Sequence, residues 1–126
     1  QTLVEHVITQ GRTPDESVSL VRSFTGQAFQ APASAEPLLV LPQDFISLMP
    51  EVAWQFDSNT KRIAVGGWLQ GAVMQFDSGR AAFFGEAAMF TAQRSDLKPV
   101  GMNSPQAEQN AQFVLNLMHW LSRILN

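Results

Sequence analysis

Residues 63–85, IAVGGWLQGAVMQFDSGRAAFFG, restrict the fold more than any other stretch of this chain. Trp68, Gln70, Ala72, Met74 and Phe76 alternate along one face of an extended segment, because successive strand side chains point to opposite sides. Asp77-Ser78-Gly79 reads as a three-residue hairpin loop, with Gly79 where left-handed backbone is needed. The return strand, Arg80–Gly85, is apolar on both faces through Ala81, Ala82, Phe83 and Phe84, as expected of a central strand covered on both sides. A β-hairpin over about 63–85 is therefore expected at the middle of a sheet. The GGWLQG run within it superficially suggests a phosphate loop. Such loops lead into a helix N-terminus, whereas here a strand follows, so a bulge or a close backbone approach accounts for the glycines.

The chain ends in a helix expected over about 105–125. Ser104 suits the N-cap and Pro105 the first helical position. Gln106, Gln109, Gln112, Asn116, His119 and Arg123 recur at steps of three and four as a polar stripe. Ala107, Ala111, Val114, Met118, Leu121 and Leu125 face the other way, widened by Phe113, Leu117, Trp120 and Ile124. Thr13, Pro14 and Glu16 form a capping-box pattern for a short turn at 14–17, and a strand is expected at about 18–25, where the pattern also fits a helix. Residues 26–37 read as a loop, and Leu38–Leu41, between prolines, as a buried strand. A helical turn is expected at 44–49, an extended piece around Trp54 and Phe56, and a turn at 57–62. After a helical turn at 87–90, residues 91–104 read as a long polar connection of the kind that carries function. These elements predict one α/β domain over 1–126, or α+β if its sheet is mainly antiparallel.

Composition removes several classes of function. The net charge is −3 and the eight Lys and Arg are scattered, so no basic face for nucleic acid or anionic membrane is present. There is no cysteine, which excludes disulfides, thiolate metal ligands and a Cys nucleophile. His6 and His119 lack a second ligand at metal-like spacing, no cofactor signature is present, and no G-x-S-x-G elbow occurs. No apolar run reaches the roughly 20 residues that span a bilayer, so the chain reads as soluble, without an assigned compartment. It opens on Gln1, as a processed product or a fragment would, with any targeting label removed.

Glu86 is the foremost candidate for chemistry. It leaves the carboxyl end of a strand beside the long connection, where ligands of open α/β sheets bind, and burial there would tune it as a general base. The plainer role is a cap on the backbone N–H groups of Ala88 or Met89. Asn110 falls on the apolar side of the final helix, where an amide needs partners; the backbone of 86–93 or 101–104 is the nearest supply, making Asn110 a brace for the site. Gln93, Asn103 and Ser104 would line the same mouth. Arg80 reads as an exposed cap to the tight turn.

The stretch GWLQGAVMQFDSGRAAFFGEAAMF together with NSPQAEQNAQFVLNLMHWL resembles the C-terminal half of an uncharacterised branch of the class I glutamine amidotransferase-like superfamily. VITQGR, SFTGQAF and PLLVL are similar to the preceding parts, so the resemblance covers most of the chain. It implies a partial flavodoxin-like mixed sheet, with Asp77–Gly79, Arg80–Gly85, Glu86, the 87–104 loop and Asn110 following in the family's order. The superfamily's amidotransferases use a nucleophilic Cys, which this chain lacks, so that activity is not implied. The strands that open such a domain are also missing, and an uncovered central edge implies a homodimer. The expected function is a non-catalytic, self-associating binding module with a pocket for a small polar ligand beside Glu86. The alternative is a small hydrolase-like enzyme on a polar or sugar-like substrate, with Glu86 as base and Gln93 or Asn103 orienting; a purely structural oligomer would have no polar pocket.

Overall fold

In the computed structural model, which describes residues 2–126, the expected hairpin forms the middle and one edge of a four-stranded sheet. Its strands are β1 (Thr2–Leu3), β2 (Glu36–Val40), β5 (Leu69–Phe76) and β6 (Gly79–Phe84), in the order β1-β2-β5-β6. Two separate hairpins flank it: β3 (Ile46–Met49) with β4 (Lys61–Ala64), and β7 (Ala92–Ser95) with β8 (Lys98–Gly101). The helices are α1 (Val7–Gln10) and α2 (Asn110–Leu121). Every pairing between these strands is antiparallel. That selects the α+β form of the expectation over a mixed flavodoxin-like sheet, in which parallel strands need long crossover connections.

Several expectations change in detail. The hairpin spans 69–84 rather than 63–85, because β4 breaks away to pair with β3. Its loop has two residues, and the left-handed position is taken by Asp77 (φ 52°), while Gly79 pairs with Phe76. β6 is an edge strand and leaves Phe83 exposed; the central strands are β2 and β5, where Leu38, Leu39, Ala72 and Val73 are essentially inaccessible. Residues 46–49 extend as β3 instead of forming a helical turn, and residues 53–54 turn. Gly66 meets the expectation of a close approach: a Cβ there would run into the backbone of Gln43. The polar connection 91–104 is not a loop but the β7–β8 hairpin, whose alternation is hidden because all of β7 faces solvent.

The final helix begins at Asn110, not 105. Gln106 adopts φ 66°, which a helix cannot include, and Ser104 and Ala107 each accept a turn bond from three residues ahead. It buries Asn110, Phe113, Asn116, Leu117 and Trp120, at the three–four spacing of one helix face. Met118 and Ile124, placed on the apolar side by pattern, are more than half exposed. The core joins this face to Ile8, Val18, Val21, Leu38, Leu39, Val73 and Met89. Phe84 stands edge-on to Phe90 (centroids 4.7 Å) and to Phe113 (6.0 Å), tying the hairpin to the helix. Burying a side chain such as Phe113 contributes about 1.5–3 kcal/mol. At the far end the Arg80 guanidinium donates to the Trp120 and Leu125 carbonyls and lies over the Trp120 ring; it caps α2, not the hairpin turn.

Candidate functional site

Residues 18–25, expected as a strand, form none and pair with no strand. Val18 and Val21 insert into the core, so the adjoining backbone is drawn toward the interior and its N–H groups need acceptors. Side chains supply them. Gln109 Oε1 accepts from the Ser19 and Leu20 N–H groups (2.9 and 2.8 Å). Asn110 Oδ1 accepts from Arg22 N–H (2.9 Å), while its Nδ2 donates to the Arg22 and Met89 carbonyls (2.9 and 3.0 Å). The Glu86 carboxylate accepts from Phe24 N–H with both oxygens (3.1 and 3.0 Å) and from Thr25 N–H (2.7 Å). A segment that would otherwise need a partner strand is thus held by three side chains.

This answers where the expected site residues fall. Glu86 is buried and is a backbone cap, but for Phe24 and Thr25 rather than Ala88 or Met89. The glycine before it permits the approach: a Cβ on Gly85 would collide with the Gln27 carbonyl. Asn110 is the expected brace, with one partner (Met89) in the foreseen loop and another, Arg22, outside it. Ser104 is buried in a turn, with its amide on the Gly101 carbonyl, and does not cap α2. Gln93 and Asn103 lie exposed on and just after the β7–β8 hairpin. Among the described residues, four hollows have none of Gln93, Asn103, Ser104 or Glu86 in their linings.

The held segment does form one wall of a cleft of about 290 Å³. Ser23–Ala28 lie on one side, Phe45–Leu48 on the other, and Leu41, Val65 and Gln70 complete the floor, with Phe56 at the rim; no lining residue carries a charge. Gln70 is the residue that pattern reading passed over. It lies on β5 between Leu69 and Gly71, and its Nε2 donates to the Thr25 carbonyl (3.3 Å), which fixes the orientation of the amide. Its Oε1 is buried without a hydrogen-bond partner, an arrangement that costs about 1–3 kcal/mol unless something donates to it. A polar side chain inside an otherwise apolar strand is the signal that would have found it.

A second hollow of about 500 Å³, among His6, Glu36, Arg80 and Trp120, is chemically richer but committed. His6 Nδ1 accepts the Ile8 N–H (3.1 Å) and Nε2 faces the Glu36 carboxylate at 3.4 Å, so both ring nitrogens are occupied. Burial lowers the His6 pKa, against the raising effect of Glu36. Nearby, the Arg12 guanidinium and backbone N–H hold the Glu16 carboxyl at about 2. Asn116, expected on the solvent stripe, is fully buried and donates to the Ile8 and Glu16 carbonyls (both 2.8 Å). Among the described residues no three His, Cys, Asp or Glu side chains gather as a metal site, and no helix is long and apolar enough to cross a membrane.

Fold and site together describe an antiparallel α+β protein with an uncharged cleft of mixed polarity. No protein-family model, curated protein or solved structure matches the chain.

Proposed function

We propose that this protein is a non-catalytic binding module that takes a neutral ligand into the cleft between residues 23–28 and β3. One observation carries the reading: the cleft is lined only by uncharged residues of mixed polarity, with the Gln70 amide oriented in its lining by the Thr25 carbonyl. The pocket is beside Glu86 only in the sense that Glu86 holds its wall. The hydrolase-like alternative asks Glu86 to receive a substrate proton, and its oxygens are engaged by Phe24 and Thr25 instead. The resemblance to amidotransferase-like domains enters this proposal only as a likeness of short motifs, without that family's chemistry.

Self-association is the second part of the proposal. Of fourteen large hydrophobic residues exposed on the surface, seven fall within the twelve residues 45–56 on and beside the β3–β4 arm. Trp54 is 80% exposed and sits in left-handed backbone (φ 67°), in a turn closed by the Gln55 N–H donating to the Val52 carbonyl (3.1 Å).

The test is a titration of the isotopically labelled protein with small neutral amides, benzamide first. Saturable shifts of the Phe24 and Thr25 amides and of the Gln70 side-chain NH2 are expected, because all three residues line the cleft. Shifts scattered over the surface, or none up to the solubility limit, would overturn the cleft as the binding site.

A further inference from the structure

The shape of the cleft says more about its occupant than its polarity does. Successive residues of a strand point to opposite faces, so a strand lines a hollow with one face only at every second residue. Here Ile46, Ser47 and Leu48 all line the cleft in succession. A hollow is lined in that way when it is bordered by the strand's edge. The opposite wall repeats the pattern, because residues 23–28 are also consecutive.

The hydrogen-bond ladder agrees. β3 pairs only with β4 among the described strands, in the register Ile46↔Ala64, Ser47↔Ile63, Leu48↔Arg62. The Phe45 carbonyl accepts from Val65 N–H (3.0 Å), one step before that register. In an antiparallel pair, hydrogen-bonded residues alternate with those whose N–H and C=O point away. Phe45, Ser47 and Met49 therefore bond β4, and Ile46 and Leu48 turn their backbone groups to the open edge. An open edge of this kind is a template for one more strand.

Resting on the cleft reading above, we propose that the ligand is an uncharged, extended peptide segment that adds to β3 as a third strand. Its main chain exchanges hydrogen bonds with Ile46 and Leu48, whose backbone groups face the open edge. The absence of any charged lining residue selects neutral side chains, since a charge placed between Phe24, Leu41 and Val65 would be desolvated without a counter-charge. The backbone supplies affinity and the uncharged side chains of the walls supply preference, the division of labour in strand addition.

The test uses an equimolar pool of acetylated, amidated hexapeptides made from alanine, valine, threonine, serine and phenylalanine, titrated into the labelled full chain. Saturable shifts at the Ile46 and Leu48 amides and the Gln70 side chain are expected. A matched pool with alternate main-chain nitrogens methylated should bind at least tenfold more weakly. That comparison needs no variant of the protein, so misfolding cannot imitate it. Equal binding by both pools would overturn strand addition while leaving the cleft a binding site. No response to either pool would also overturn strand addition, and the benzamide titration then decides the cleft by itself.

Discussion

Asn110 makes three hydrogen bonds with one amide, two of them to a residue 88 positions away in the chain. Replacing it by alanine leaves the Arg22 N–H and carbonyl and the Met89 carbonyl without partners in a site closed to water. We expect Asn110→Ala to cost about 3 kcal/mol, since each buried unpaired group costs about 1–3 kcal/mol and part of the loss is relieved by relaxation. Gln109→Ala removes an equally direct pair of bonds, but Ser19 and Leu20 are exposed and water replaces them, so that loss should stay below about 1 kcal/mol. Urea denaturation of the two variants makes the comparison, and equal losses would contradict the claim that the segment is held from its buried side. At this scale the sequence was informative in kind. An amide on an apolar helix face and a carboxylate after a strand-ending glycine both announced polar groups that must be satisfied. Their partners were not legible, because nothing local to Asn110 or Glu86 names residues 22–25. Asn116 misled for a related reason: periodicity put it among glutamines, and only the carbonyls of Ile8 and Glu16 arriving from the N-terminal region make its burial tolerable.

Short elements here depend on single residues in ways that predict their response to pH and to substitution. The α1 helix is capped by His6, whose Nδ1 accepts the Ile8 N–H, with Thr9 Oγ1 accepting the His6 N–H in return. The cap exists only while Nδ1 is unprotonated. The folded pKa of His6 lies below 6.5, lowered by burial. Its contribution is therefore complete above about pH 6.5 and is lost as pH falls through the folded value, because the unfolded chain takes up the proton first. Monitoring stability between pH 7.5 and about 5 should show this loss in the parent and not in His6→Asn, which caps without titrating; parallel losses in both chains would assign the effect elsewhere. The β7–β8 hairpin closes through Asp96 and Leu97, both at positive φ (46° and 68°), the geometry of a two-residue turn that favours Asp-Gly. Leu97 is 80% exposed and packs little, so Leu97→Gly should raise stability by about 0.5–1 kcal/mol, seen as a higher melting temperature. An unchanged or lower melting temperature would show that Leu97 packs against something at that exposed position. This hairpin was invisible in the sequence because its turn residue breaks the usual rule and β7 has no buried face. The 69–84 hairpin was legible for the opposite reason: alternation, turn and apolar return strand all agreed.

At the scale of the molecule, the apolar surface has two separate centres that a partner copy would cover. One is the β3–β4 arm, with Met49, Val52 and Trp54 projecting; the other is the β6 edge, with Phe76 and Phe83 exposed beside it. The sequence expectation of a dimer rested on an uncovered central strand, whereas the central strands β2 and β5 are both paired on either side and the open edges are β1 and β6. Monomeric proteins rarely expose contiguous apolar patches beyond a few hundred square ångströms, and seven large side chains in twelve residues make the arm the stronger candidate. Light scattering over a concentration series should therefore give a mass that rises toward twice that of the chain. Combining Met49→Ser, Val52→Ser and Trp54→Ser should return it to the monomer without lowering the melting temperature, because none of the three side chains belongs to the core. Phe83→Lys places a charge on the sheet edge instead and should leave the dimer intact. The opposite pattern, dissociation by Phe83→Lys alone, would move self-association to β6 and free the arm to act only as the outer wall of the cleft. A monomeric mass at every concentration would remove self-association from the proposal altogether. The exposed arm would then be left for the ligand, and peptide binding should shift the Trp54 fluorescence as well as the Gln70 amide.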